Sequence, residues 1–227
     1  MFYSEWIVPL FNKQVPLEEG ELRSKIEDFS VKAGFDLKNI YVIDGSKRST
    51  KANAYFSGLG SKKRIVLYDT LVNDFTPDEI VAVLAHEIGH YKKKHTLISL
   101  VISLLSSLIM FALLGLFLGN PLIAQALGAT ISSFHLGILV FGILYTPIST
   151  VLNIGINVLS RKHEYEADAY AAKFGLANDL INALKKLSAK SLTNLQPHTA
   201  YVFVHYSHPT LLERVQAITK ITNEESN

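Results

Sequence analysis

Cysteine is absent from the 227 residues. Disulfides, thiolate metal sites and a cysteine nucleophile are thereby excluded, and any bound metal must use histidine and carboxylate. Charge of one sign is not in excess either: the net charge is +2, which makes no case for nucleic acid as a partner. No internal repeat and no low-complexity tract is present. The first residues, Met1 to Pro9, are apolar and aromatic but lack a basic n-region, so they do not read as a secretory signal. The most consequential absence is local. From Thr96 to Ser160 there is not one Asp, Glu, Lys or Arg.

A soluble domain almost never leaves so long a stretch uncharged. Leu97 to Leu118 is an apolar run of about 33 Å as a helix, enough for a hydrocarbon core of roughly 30 Å. Gly119-Asn120-Pro121 breaks it. A second run extends from Ile131 to about Leu152, with Pro147 expected to kink it. A pair of buried core helices is the alternative for these two runs. Lys92, Lys93 and Lys94 precede the first run, Arg161 and Lys162 follow the second, and the connecting loop is uncharged. The positive-inside rule puts both outer ends in the cytoplasm, so the runs form a hairpin. Three segments follow from this: 1–95, the hairpin 96–160, and 161–227.

What is present is concentrated in His86-Glu87-Ile88-Gly89-His90. H-E-x-x-H places two imidazoles at i and i+4 on one helix face, where both can reach one Zn²⁺. Glu87 between them can act as general base on a water. Two surface histidines on an ordinary helix are the plain alternative. Thr76-Pro77-Asp78-Glu79 is a helix start, with Thr76 as N-cap, Pro77 at the first position and Glu79 three residues on. Ile80, Val83, Leu84, Ile88 and Tyr91 recur at helical spacing. Gly89 is a poor helix residue whose missing side chain would let another segment pass close.

Around this helix a small sheet is expected. Ile40–Ile43, Asn53–Ser57 and Arg64–Tyr68 are strand-like, with turns at Asp44-Gly45-Ser46 and Gly58-Leu59-Gly60-Ser61. A helix from about Leu17 carries Leu22, Ile26, Phe29 and Ala33 on one face. After the hairpin, Glu164–Phe174, Asn178–Lys190 and Thr210–Ile221 read as helices.

A catalytic zinc needs a third protein ligand and an open position. Without cysteine that ligand is His, Glu or Asp. Glu164 and Asp168 lie at i and i+4 on one helix face just beyond the second run. Glu164 as ligand and Asp168 as acceptor from a ligand imidazole N–H would suit zinc-site practice. A charged solvent-facing helix is the competing reading.

The order H-E-x-x-H, two apolar runs, E-x-x-x-D and Ser-His-Pro resembles the M48 family of membrane zinc metalloproteases. Within it, Gly45-Ser46-Lys47-Arg48-Ser49-Thr50, Asn53-Ala54-Tyr55-Phe56, Lys63 to Leu71, and His205-Tyr206-Ser207-His208-Pro209 are similar to the Ste24 CaaX-protease branch. The resemblance runs from about Leu10 to about Ala217. It implies a mainly α membrane protein of gluzincin-like build: a small β-sheet plus a zinc-binding helix, with a two-helix transmembrane hairpin inserted. It implies one Zn²⁺ per chain on His86, His90 and Glu164, with Glu87 as catalytic base and Asp168 behind the ligands. It implies that Asn53 aligns the substrate strand, His208 lies near the developing oxyanion, and Arg214 supports the site. Ste24-type enzymes carry further membrane helices before this region, and this chain is expected to lack them.

The implied activity is zinc-dependent membrane endopeptidase cleavage of a peptide or protein substrate, with prenylated CaaX C-termini first. The implied location is an integral membrane protein of two spans, its site at the cytoplasmic face. An HtpX-like quality-control protease is the second reading, and an inactive membrane-anchored binding module the third. Intact Glu87 speaks against the third. His95, His135, His163, His198 and His205 are given no role.

Overall fold

Ile65, Val66 and Leu67 are fully buried in succession, which requires cover on both faces and marks a central strand. The computed structural model describes residues 14–47, 52–57, 64–118, 120–126, 128, 130–131 and 133–225. The expectations for Met1 to Pro9 and for the 58–61 turn lie outside these residues. The chain divides into two compact units. The first comprises 1–93, 163–197 and 209–227.

This unit begins with β1 (Gln14–Pro16), α1 (Glu21–Lys32), β2 (Asn39–Ile43), β3 (Ala54–Ser57), β4 (Arg64–Tyr68), α2 (Asp69–Asp74) and α3 (Pro77–Lys92). The strands form one sheet in the order β1-β2-β4-β3. β4 pairs parallel with β2, Ile65 opposite Ile40, and antiparallel with β3, Val66 opposite Tyr55. β3 is therefore the last strand on its side of the described sheet. The first helix starts at Glu21 rather than at about Leu17. The backbone is still extended at Gly20, and Val15 and Pro16 pair with β2 instead.

α3 has the predicted start. The Glu79 amide donates to the Thr76 hydroxyl at 3.3 Å, and the Thr76 amide donates to the Glu79 carboxylate at 2.8 Å. Both halves of a capping box are made, with Pro77 just inside, and a helix start of this kind contributes about 1 kcal/mol. Ile80, Leu84 and Ile88 form a buried stripe at helical spacing. They pack in one core with Ile26 and Phe29 of α1 and Leu71 of α2. Each such side chain contributes about 1.5–3 kcal/mol on burial, so the helix carrying His86 and His90 is held from several sides.

The remaining helices are α4 (His95–Phe117), α5 (Pro121–Ala126), α6 (Phe134–Ala172), α7 (Ala177–Lys190), α8 (Thr199–His205) and α9 (Leu211–Glu225). Leu180 of α7 and Ile218 of α9 complete the core of the first unit. The second unit comprises 94–162 and 198–208. Its helices α4 and α6 are long and apolar enough to cross a membrane. Their large side chains point outward: Leu104, Leu108, Ile143 and Val151 are all more than half exposed. The most apolar window of α4 has no buried residue, which is the reverse of a soluble core helix.

Two expected helices turn out to be one. The second apolar run and the helix carrying Glu164 were expected to be separate. α6 instead continues unbroken from Phe134 to Ala172, through Pro147. Between Leu152 and Glu164 the chain has Gly155 and two asparagines, which weaken a helix, but no proline to end it. Around Pro147, the hydroxyl of Thr146 donates to the Gly142 carbonyl, and Ser149 and Thr150 donate to the Thr146 carbonyl.

Candidate metal centre

His86 and His90 come from the middle and end of α3, one turn apart, and their Nε2 atoms lie 3.1 Å from each other. Glu164 arrives from α6. Its Oε2 is 3.6 Å from His86 Nε2, and its Oε1 is 3.4 Å from His90 Nε2. Bonds of about 2.0–2.1 Å meeting at the tetrahedral angle place two ligand atoms about 3.3–3.4 Å apart. The imidazole nitrogens face different oxygens of the Glu164 carboxylate, and one ligand atom from each of the three residues lies within 4.8 Å of the others, so the donor set can hold one small cation.

The close approach has a sequence cause. A Cβ on Gly89 would lie 3.0 Å from Ala167 Cα and 3.0 Å from Tyr170 Cβ. The glycine and the small Ala167 let α3 and the 163–172 part of α6 meet backbone to backbone. Gly89→Ala trades a helix-propensity gain of about 1 kcal/mol against an overpacking cost of about 1–3 kcal/mol. The atoms in the way are mostly backbone and cannot swing aside, so a net loss of stability and weaker metal binding are expected. Thermal melts and metal titration check this. A variant at least as stable as the parent, with unchanged affinity, would remove the close-packing argument.

Behind the ligands the polar groups are paired. His86 Nδ1 donates to Asp168 Oδ1 at 2.8 Å, which leaves its Nε2 lone pair turned toward the cluster. Arg214 of α9 grips the same carboxylate with both arms, Nε to Oδ2 at 2.8 Å and Nη2 to Oδ1 at 2.6 Å. Its Nη1 is 3.3 Å from Glu164 Oε2. Asp168 is buried, and burial alone would raise its pKa. The hydrogen bonds from Arg214 and His86 outweigh that and hold the carboxyl below the ordinary range. Burial likewise opposes the charged form of Arg214, and Asp168 outweighs it and raises its pKa. Burial disfavours a charged His90, but the Glu164 hydrogen bond outweighs it and raises the pKa.

Glu87 is half-buried beside the pair. Burial pushes its carboxyl above the ordinary range, against the pull of His86 and His90. A base with a raised pKa is better matched to proton transfer near neutrality.

Five of the predicted residues therefore meet in one place: His86, His90, Glu164, Asp168 and Arg214. Asn53 directly precedes β3, and its carbonyl accepts from the Tyr68 amide at 3.0 Å. His208 belongs to the second unit, and its Nδ1 lies 3.0 Å from the Ser207 hydroxyl. One supporting residue was not foreseen. Lys186 of α7 donates to Glu79 at 2.6 Å and so reinforces the start of α3. Nothing local to Lys186 distinguishes it from any basic residue on an amphipathic helix.

The model of the family "Peptidase family M48" matches residues 16–222. The chain belongs to peptidase family M48. Among curated M48 relatives, CAAX prenyl protease 1 of Saccharomyces cerevisiae is 41% identical over 238 residues, covering 98% of this chain and 52% of that protein. The human CAAX prenyl protease 1 homolog is 36% identical over 255 residues, covering 95% of this chain and 54% of its own length. The crystal structure of S. mikatae Ste24p superposes with a TM-score of 0.86 at 41% identity, over 95% of this chain and 54% of that one. This M48 chain thus spans about half the length of the curated relatives it matches. The superposition also bears out the mainly helical architecture with a small sheet and two long apolar helices.

Proposed function

We propose that this chain is a zinc-dependent membrane endopeptidase of the Ste24 type, acting near the C-terminus of prenylated CaaX proteins. The observation that carries the reading is the triangle of His86, His90 and Glu164 donor atoms, with Glu87 on the same helix. His86, His90 and Glu164 would hold the ion, and nitrogen and carboxylate donors without thiolate suit Zn²⁺. When bound, zinc supplies a Lewis acid that polarises the scissile carbonyl and acidifies water.

The residues of the chain do the rest. Glu87 takes the proton of the attacking water and returns it to the leaving amine. Asp168 fixes the tautomer and orientation of His86, and Arg214 fixes Asp168. An extended substrate added beside β3 gains main-chain hydrogen bonds, with Asn53 setting its register. His208 donates to the negative charge that develops on the former carbonyl oxygen, a role whose loss appears mainly in kcat. α4 and α6 cross the membrane with both charged flanks, Lys92–Lys94 and Arg161–Lys162, on the cytoplasmic side.

The substrate class rests on the curated relatives, each described as a CAAX prenyl protease. A matched pair of peptides, one farnesylated at the CaaX cysteine and one not, tests it with the zinc-loaded protein in bilayers. The prenylated peptide is expected to be cleaved with the higher kcat/KM. In the same assay His208→Ala is expected to lower kcat about 10²- to 10³-fold with zinc retained. Equal cleavage of both peptides would remove the prenyl preference while leaving the peptidase reading intact. Loss of zinc in His208→Ala would make that residue a structural support.

A further inference from the structure

A second uncharged stretch lies outside the two long helices: from Ser191 to Leu212 there is no Asp, Glu, Lys or Arg. It contains α8, and its large apolar side chains are turned outward. Leu192 is 92% exposed, Tyr201 55% and Phe203 51%, while Val202 between the two aromatics is buried. A short helix that points two aromatic rings at its surroundings and only a valine inward has its apolar face on the wrong side for water.

The fastening of α8 points the same way. Carbonyls at the end of a helix have no intrahelical partner and ordinarily turn to water. Here α6 supplies the donors. Asn157 Nδ2 donates to the Val204 carbonyl at 2.8 Å. Arg161 Nη1 donates to the Tyr206 carbonyl at 2.6 Å and the Phe203 carbonyl at 3.4 Å, and at 3.2 Å to the Val202 carbonyl, which also accepts from the Tyr206 amide. The guanidinium also lies 5.8 Å from the Phe203 ring centre. The end of α8 needs little water, as a helix in a poorly hydrated layer requires. Arg161 is also the first charge after the long uncharged stretch of α6. It marks the level at which that helix leaves the hydrocarbon, and α8 is bound to α6 at that level, within the same unit.

We propose that α8 is an interfacial helix that docks on the lipid bilayer crossed by α4 and α6, with Tyr201 and Phe203 in the headgroup layer. The inference rests on the two-span reading above. Seven residues cannot span a bilayer, whereas aromatic rings with a neighbouring arginine are the side chains that settle at its interface. Tyr201 and Phe203 stand on either flank of the buried Val202, and α8 carries no Asp, Glu, Lys or Arg to keep it in water.

The absence of cysteine makes the test direct. Tyr201→Cys, Phe203→Cys, Leu104→Cys in mid-α4 and Val31→Cys in α1 are each labelled with an environment-sensitive fluorophore. Each is placed in phosphatidylcholine vesicles whose lipids carry a spin label high or low on the acyl chain. Labels at 201 and 203 are expected to shift to the blue and lose most fluorescence to the shallow quencher. That corresponds to an apolar face set about 5–10 Å into the layer where headgroups meet acyl chains. Leu104→Cys is expected to respond to the deep quencher and Val31→Cys to neither. If 201 and 203 behave like Val31, α8 faces water and the proposal is wrong. If they shift to the blue but respond to neither quencher, protein covers the face and the proposal is equally wrong. If the Leu104 label is not quenched, the two-span reading itself fails, and the docking falls with it.

Discussion

Glu87→Gln is expected to keep its metal and lose about 10³- to 10⁴-fold in kcat, the upper range for removal of one general acid–base group. The substitution changes no volume and leaves His86, His90 and Glu164 in place. Glutamine can still orient a water, but it cannot accept a proton. Glu87 stands where its carboxyl is pushed up by burial and pulled down by two imidazoles, so it can take a proton and give it back. The loss should therefore lie in the chemical step and not in substrate binding. Metal analysis beside single-turnover hydrolysis reads both halves. Near-native hydrolysis with full metal would remove Glu87 from the mechanism.

The second large effect is expected at Asp168. Asp168→Ala strips Arg214 of both its strongest contacts in a place where neither residue is open to solvent. Removing one partner of a buried pair costs about 3–5 kcal/mol, and Glu164 at 3.3 Å would then be the near carboxylate left to answer the Arg214 charge. The substitution also frees the His86 ring, and loss of such a partner weakens metal affinity about 10- to 100-fold. Unfolding in urea and competition for metal with a chelator measure the two separately. A variant with parental stability and parental affinity would show that the carboxylate supports nothing.

The same pair sets a pH dependence. Asp168 titrates below its ordinary value in the folded chain, because Arg214 and His86 together outweigh burial. A carboxylate with a depressed folded-state pKa adds stability that is complete above its unfolded-state value. That stability is lost as pH falls through the folded-state value. The advantage of the parent over Asp168→Ala should hold at neutral pH and begin to shrink near pH about 4, where free aspartate titrates.

How far residues alone carried the reading depended on where each signal lay. Thr76, Pro77 and Glu79 announce a helix start because the interactions that make it are local, and the capping box is there. His86 and His90 need only helical periodicity to share a face. Glu164 and Asp168 are legible as a pair for the same reason, although spacing alone favours a charged helix face until H-E-x-x-H is set beside it. Arg214 was reached only through family resemblance. A single arginine on an amphipathic helix looks like a surface residue until α9 has folded back onto Asp168. β1 was not legible because three residues carry no period. α6 was divided in two because its apolar half and its charged half differ in composition, while nothing in backbone chemistry separates them. Lys186 escaped because its partner, Glu79, is far away in sequence.

The salt bridge between Asp168 and Arg214 also has a place in time. A ribosome delivers the chain from its N-terminus, so His86 and His90 emerge first, Glu164 and Asp168 later, and Arg214 last. Until α9 is out, Asp168 has only the imidazole to answer its charge, and Glu164 lacks its guanidinium neighbour. The order of synthesis is thus the order of assembly. A nascent chain carries all three metal-binding side chains before it carries the residue that locks them.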